Sequence, residues 1–228
     1  MAYKLTWFGH AAFGLETGGC QLLVDPFFTD NPAATVHAED VTADLILVTH
    51  GHDDHLGDTL EIARRTGATV IAVTEIGDWL KKHGAQTHRL QIGGGHAFSF
   101  GYLKMTLALH TSSLPDGSYG GNPAGFLLTT LQDEKIYFAG DTGLFGDMRL
   151  IGEEGVHLAV LPVGDNFTMG PADALRAVKL LQPQHVLPVH YNTWEIIAQG
   201  DLAPWTRQVQ AETGAQVHLL SPGQSLKF

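Results

Sequence analysis

Seven side chains of metal-binding type stand where apolar runs of the sequence end. The densest group is Thr49-His50-Gly51-His52-Asp53-Asp54-His55, with three imidazoles and two carboxylates close together. It follows Leu45-Ile-Leu-Val, a run apolar enough for a strand buried on both faces. Imidazole nitrogen and carboxylate oxygen suit zinc, iron, manganese and similar divalent ions. His50 and His52 are two apart, so an extended backbone would aim both to one side. Asp54 and His55 come where the chain turns into a helix and point in different directions, so the segment could serve two neighbouring ions. Three more apolar runs end in a single residue of this kind: residues 104–109 in His110, residues 136–139 in Gly140-Asp141, and residues 186–189 in His190. Ligands at the carboxyl ends of several strands can converge on one rim of a sheet. The pattern predicts two divalent ions bound by His50, His52, Asp54, His55, His110, Asp141 and His190. Zinc leads as the ion, with manganese, iron and nickel as alternatives.

Such a centre would lower the pKa of a shared water and present a bridging hydroxide as nucleophile. It would also stabilise charge on an attacked carbonyl or phosphoryl oxygen. Two cations, two carboxylates and one hydroxide leave a residual charge of about +1, which favours an anionic or strongly polarised substrate group. Asp54 and Asp141 are therefore candidates for direct participation in catalysis. Asp165 and Asn166, in a turn after an apolar run, either line the site or cap a helix. Tyr191 and Asn192 adjoin His190 and either touch substrate or pack the loop. Residues 111–125, rich in Gly, Pro and Ser, would form a lid or one wall of the pocket.

The elements needed to hold these residues are legible as alternating strands and helices. Strands are expected at 3–8, 12–16, 21–24, 45–49, 70–73, 104–109, 126–131, 135–138, 158–161, 186–189 and 217–220. Helices are expected at 56–66, from a Thr74 cap to His83, from Pro171 to a stop at Pro183, and at 204–213. The mixture predicts an α/β protein with sheets covered by helices, and one domain, residues 1–228, since no Pro/Gly/Ser-rich linker divides it.

The 228 residues carry 13 Lys and Arg against 24 Asp and Glu, a formal net charge of −11. That balance disfavours nucleic acid as a partner. No apolar stretch is long enough for a membrane span, and the N-terminus lacks a signal-peptide pattern. One cysteine, Cys20, agrees with a reducing compartment. The expectation is a cytoplasmic protein acting on a small molecule, with a homo-oligomer compatible with the sequence. No G-x-S-x-G elbow is present, which argues against a serine hydrolase.

The ordered motifs resemble the metallo-β-lactamase superfamily across nearly the whole chain: Asp25 in Leu22-Leu-Val-Asp-Pro26, the complete H-x-H-x-D-H, then His110, Asp141 and His190. Within it, Trp7-Phe-Gly-His-Ala-Ala-Phe13, Leu161-Pro-Val-Gly-Asp-Asn-Phe-Thr-Met-Gly170 and Pro188-Val-His-Tyr-Asn-Thr-Trp194 resemble the UPF0173 group of predicted metal-dependent hydrolases, related to the ascorbate-phosphate lactonase branch. The resemblance implies a four-layered αβ/βα sandwich with its site at one edge of the two sheets. It implies that His50, His52 and His110 hold one ion, that Asp54, His55 and His190 hold the other, and that Asp141 bridges them. It further implies that Asp25 supports the site without binding metal. His10 would border the site as a substrate contact or leaving-group acid, or else be a structural turn histidine. The implied activity is hydrolysis of an ester, lactone or phosphodiester bond in a small molecule. A nucleic-acid phosphodiesterase and a non-catalytic metal-binding scaffold are the alternatives.

Overall fold

Two sheets of seven strands form the body of the computed structural model, which describes residues 2–228. The first sheet runs in spatial order through β1 (Tyr3–Gly9), β2 (Ala12–Thr17), β3 (Cys20–Val24), β4 (Leu45–Leu47), β5 (Thr69–Val73) and β6 (Gln86–Leu90). The second runs through β7 (Gly95–Phe98), β8 (Gly101–Leu107), β9 (Ala124–Thr130), β10 (Lys135–Phe138), β11 (Leu158–Pro162), β12 (His185–Val189) and β13 (Gln216–Val217). A last strand, β14 (Ser225–Lys227), returns to pair antiparallel with β1. Six helices accompany them: α1 (Asp53–Leu56), α2 (Thr59–Thr66), α3 (Thr74–Lys82), α4 (Met148–Gly152), α5 (Pro171–Leu181) and α6 (Ala203–Thr213). None of the described helices is long and apolar enough to cross a membrane.

Strand side chains alternate between two faces, and in the second sheet that alternation divides two apolar cores. Phe126, Leu128, Phe138, Leu158 and Val160 face the first sheet and pack in one cluster with Leu5, Phe13, Leu15, Leu22 and Ile46. Their neighbours Leu127, Tyr137, Ala159 and Leu161 face outward and pack with Ala174, Val178 and Leu181 of α5 and with Trp205 and Val209 of α6. Helices α2 and α3 contact β5 and β6 on the first sheet. The order is therefore helix, sheet, sheet, helix, in agreement with the expected α/β sandwich. Burying a large apolar side chain in such layers contributes roughly 1.5–3 kcal/mol.

In each sheet four consecutive strands are parallel, β3 to β6 and β10 to β13. Parallel strands send all their carboxyl ends to one edge, so residues 25, 50, 141 and 190 leave their strands on the same side.

Several boundaries differ from expectation for physical reasons. The helix expected at 56–66 is two, because Gly57 adopts φ +41 between α1 and α2. A Cβ there would lie 2.6 Å from the carbonyl oxygen of Pro26, so the approach of the Pro26 backbone needs glycine. Thr74 does not cap α3; Val73 holds the N-cap position, and the Thr74 hydroxyl accepts from Gln91 Nε2 at 2.9 Å instead. The strand expected at 217–220 stops at Val217, and β6, β7, β14 and α4 lay outside the expected set. β6 and β7 each lie at one edge of their sheet and are half-exposed or exposed throughout, so neither shows an apolar alternation.

Candidate metal centre

The strand ends bring four separate stretches of sequence, residues 50–55, 110, 141 and 190, to one point. β4 ends at Leu47, so His50 and His52 leave from an irregular segment rather than a strand. They still meet as the spacing predicted, with His50 Nε2 and His52 Nδ1 3.0 Å apart. Helix α1 carries Asp54 and His55 on successive positions of its single turn. β10 delivers Asp141, β12 delivers His190, and the segment after β8 delivers His110. Three sets of ligand atoms lie within 4.8 Å of one another: His50, His52 and His110; His50, His55 and Asp141; and His10, Asp54, His55 and His190. The seven residues expected as ligands all lie in these sets, and Asp141 lies near both halves, with Oδ1 3.3 Å from His55 Nε2 and Oδ2 3.1 Å from His190 Nε2 and 3.8 Å from His110 Nε2.

Asp25 prepares two of these imidazoles. The Thr49 amide donates to its Oδ1 at 2.8 Å, and the Thr49 hydroxyl donates to its Oδ2 at 2.7 Å. Because that hydroxyl proton is committed, Thr49 Oγ1 accepts from His50 Nδ1–H at 3.0 Å. His55 Nδ1–H donates to the same Oδ2 at 2.8 Å. Both rings thus keep a proton on Nδ1, so Nε2 is the nitrogen each turns towards the cluster, where a bound cation would take the place of any Nε2 proton. Asn at Asp25 offers a donor where an acceptor is needed. We expect Asp25→Asn to weaken metal affinity about 10–100-fold, read by competition against a chelator; unchanged affinity would show that these tautomers are set by something else.

The electrostatics point the same way. Burial opposes ionisation of Asp141, yet His190 and His55 outweigh it and hold the carboxyl well below the usual range. Burial likewise opposes Asp54, and His55, His10 and His190 outweigh it, so its carboxyl is also held low. In return His55, despite burial, is raised well above an ordinary imidazole by Asp141, Asp54 and Asp25. His190 is pushed up to about 9 against its burial, chiefly by Asp141. Burial, with His55 beside it, holds His50 well below the ordinary value. The buried carboxylates therefore draw positive charge into the cluster. The donor set fits a cation on a separate observation as well: His55 Nε2 and both ring nitrogens of His190 are buried without a hydrogen-bond partner. Buried polar atoms are rarely left so.

His10 is different. It is fully buried, and both its nitrogens are used: Nδ1 lies 2.9 Å from Thr193 Oγ1, and Nε2–H donates to Asp54 Oδ2 at 3.2 Å. Burial lowers its pKa to about 4 against the opposing bond to Asp54. Its ring sits between His190, at 4.1 Å, and Trp194, at 4.7 Å between centroids. This geometry suits holding the Asp54 carboxylate better than the substrate contact or leaving-group acid expected for it.

The remaining expected residues are less central. Asp165 and Asn166 are exposed, and neither caps α5, whose N-cap is Gly170 without a side-chain bond. Asn192 spends its amide on Gly200, accepting from the backbone N–H at 2.7 Å and donating to the carbonyl at 3.2 Å. Tyr191 stacks on Trp7 with ring centroids 6.0 Å apart. The loop 111–123 is held by its own contacts and by α3: Ser113 bridges to Tyr119, Leu114 is buried, and Asp116 accepts from Trp79 Nε1 at 3.0 Å. Sequence reasoning missed four supporting side chains. They are Thr49 and Thr193, just described; Trp194; and Ser112, whose hydroxyl accepts from the Gly51 N–H at 3.0 Å between His50 and His52.

Left-handed backbone also gathers here: His10 (φ +53), Asp25 (φ +44) and His190 (φ +59) all belong to the site. Such strain in residues with a Cβ concentrates at functional sites.

Comparison with known proteins agrees with this geometry. Residues 4–190 match the family described as the Beta-lactamase superfamily domain. A UPF0173 metal-dependent hydrolase of Pelotomaculum thermopropionicum is 50% identical, covering 99% of this chain and all of that protein. The solved structure of Igni18, described as a novel metallo hydrolase from Ignicoccus hospitalis, is 37% identical with a TM-score of 0.89, covering 99% of each chain. The metallo-beta-lactamase fold protein YhfI of Bacillus subtilis, 15% identical with a TM-score of 0.74 over 98% of each chain, shares the fold. Matched in motif order, in layers and along its full length, the chain belongs to the β-lactamase superfamily and, within it, to the UPF0173 group.

Proposed function

We propose that the chain is a hydrolase of small molecules whose centre holds two divalent ions, zinc foremost. His50, His52 and His110 would hold one, Asp54, His55 and His190 the other, and Asp141 would serve both. The observation that carries this reading is the pair of buried Nε2 atoms on His55 and His190, which make no aligned hydrogen bond although Asp141 lies 3.3 and 3.1 Å away, and which face carboxylates that no Lys or Arg neutralises. Ions bound there would supply Lewis acidity and bring the pKa of a water near neutrality, the requirement for attack on an ester, lactone or phosphodiester.

The chain's own residues supply the preorganisation. Asp25 and Thr49 fix the rings of His50 and His55. His10, itself held by Thr193, fixes one oxygen of Asp54. Trp194, against His10 and Phe27, covers that side of the site from water. A small-molecule substrate is favoured over nucleic acid by the excess of 24 acidic over 13 basic residues. The single cysteine suits the reducing cytoplasm, where we place the reaction.

Metal analysis combined with a panel of chromogenic esters, lactones and phosphodiesters tests this reading. About two ions per chain, and turnover abolished by a chelator and restored by metal, are the expected results. Metal retained with no turnover on any class would favour the scaffold.

A further inference from the structure

The charge of the site's surroundings has a sharp spatial pattern. Six segments leave the strand ends that carry the cluster: residues 25–34, 48–58, 108–123, 139–147, 163–170 and 190–202. None of the 13 Lys and Arg lies in any of them, whereas 11 of the 24 Asp and Glu do. Three of those acids are Asp25, Asp54 and Asp141 of the cluster. The other eight surround it, and all but the half-buried Asp58 are exposed. Among the described residues, every ion pair made by Lys or Arg is with an acid outside these segments, and Arg64 and Arg65 of α2 share a surface hollow with Gly57 and Asp58 alone of these segments.

The same segments present apolar side chains to solvent. Leu109, Tyr119, Phe167 and Ile196 are each at least 48% exposed. Backbone bonds tie their loops to the site. The Gly143 N–H donates to the Leu109 carbonyl beside His110, and the Gly120 N–H donates to the Ser112 carbonyl over Gly51. The turn holding Phe167 is bonded to Thr142 through the Met169 N–H, and the loop holding Ile196 is bonded to Gly164 through the Ala198 N–H. Half-exposed Trp194, against His10, continues this apolar border.

We propose that this rim selects an electrically neutral substrate with an apolar group beside the bond to be cleaved, and turns away anions. Of the anionic or strongly polarised groups that a centre of residual charge about +1 favours, it is therefore the polarised carbonyl of a neutral molecule that reaches it. The inference rests on the hydrolase reading above and narrows it to neutral esters and lactones, leaving out phosphodiesters and carboxylate-bearing esters. Phosphate- and carboxylate-binding sites recruit Lys or Arg for recognition and approach, and here that recruitment is missing from every segment around the centre. Surface charge of one sign around a cleft focuses its field into the opening, repelling like-charged ligands most at low ionic strength. The apolar border gives a neutral acyl or ring group surface to bury.

Metal-chelating probes that differ only in their tails separate these contributions without any need for turnover. Hexanohydroxamic acid has a neutral apolar tail, and the monohydroxamate of adipic acid has the same length with a terminal carboxylate. Calorimetry on metal-loaded protein at low salt should find the neutral probe bound at least about tenfold more tightly, with the gap narrowing in high salt. Acetohydroxamic acid should bind more weakly than the hexanoyl probe, and the double variant Phe167→Ser, Ile196→Ser should erase that difference while still binding acetohydroxamate. Glu195→Lys should narrow the gap between neutral and anionic probes. Metal-loaded protein that takes the anionic probe as tightly as the neutral one, or that takes no neutral probe, overturns the proposed selectivity. Protein that holds no metal overturns the hydrolase reading itself.

Discussion

Alanine at Asp141 is expected to lower any hydrolytic rate by about 10³-fold and to reduce the metal content of the purified protein. Its two oxygens face three imidazoles across both halves of the cluster, at 3.1 to 3.8 Å. Lewis-acid stabilisation is worth several kcal/mol, and each 1.36 kcal/mol is a factor of ten in rate, so losing the shared carboxylate reaches about three orders of magnitude. The same substitution should mark the metal-free protein. His55 and His190 are raised by Asp141, and leaving such buried partners unpaired costs about 3–5 kcal/mol. The pH dependence carries the sign. His190 titrates at about 9 in the fold against an ordinary 6.5, so its contribution to stability is full below pH 6.5 and is lost as pH rises through about 9. Denaturant unfolding of the metal-free protein between those values should show a falling stability that Asp141→Ala flattens. Equal metal content, equal rate and an unchanged slope would remove Asp141 from the centre.

Much of the centre could be read from the sequence because each ligand follows a run whose apolar character marks a buried strand. His110, Asp141 and His190 are far apart in the chain, yet all sit just beyond such runs, and parallel strands bring their ends together. What stayed hidden depends on contacts between loops. Thr193 and Trp194 gain their roles only because His10 lies in a turn more than 180 residues earlier, and no local pattern announces that. Ser112 is one hydroxyl among several in a polar loop until Gly51 is seen beneath it. The edge strands β6 and β7 escaped notice because exposed Gln86 and His96, half-exposed His88 and their neighbours follow no period of two. β14 needs β1, more than 200 residues away, to be a strand at all. The net charge of −11 was plain from composition, but its concentration around one opening was not, since that depends on which loops share an end of the fold.

The last substitution tests the fold's hold on the second ligand group without touching a ligand. β11 and β12 run side by side, with the Val163 N–H donating to the Val189 carbonyl at 3.0 Å, so Gly164 and His190 leave their strands in contact. A Cβ at Gly164 would lie 2.2 Å from the His190 carbonyl oxygen and 2.8 Å from its Nδ1. Neither atom is the free end of a flexible side chain, so the His190 backbone must move. That backbone is already in the left-handed region, at φ +59, and the His190 N–H is bonded to the His10 carbonyl at 3.2 Å, so movement there also disturbs the residue that holds Asp54. Overpacking of this kind costs about 1–3 kcal/mol, and misplacing a catalytic group by about 1 Å costs on the order of 10²-fold in rate. We therefore expect Gly164→Ala to melt several degrees lower, to lose about half its bound metal and to hydrolyse about a hundredfold more slowly. Gly146→Ala, where a Cβ meets nothing within 4 Å, should leave all three readouts near the parent values. If Gly164→Ala also keeps its metal and its rate, His190 is not held where the geometry of the second ligand group requires it to be.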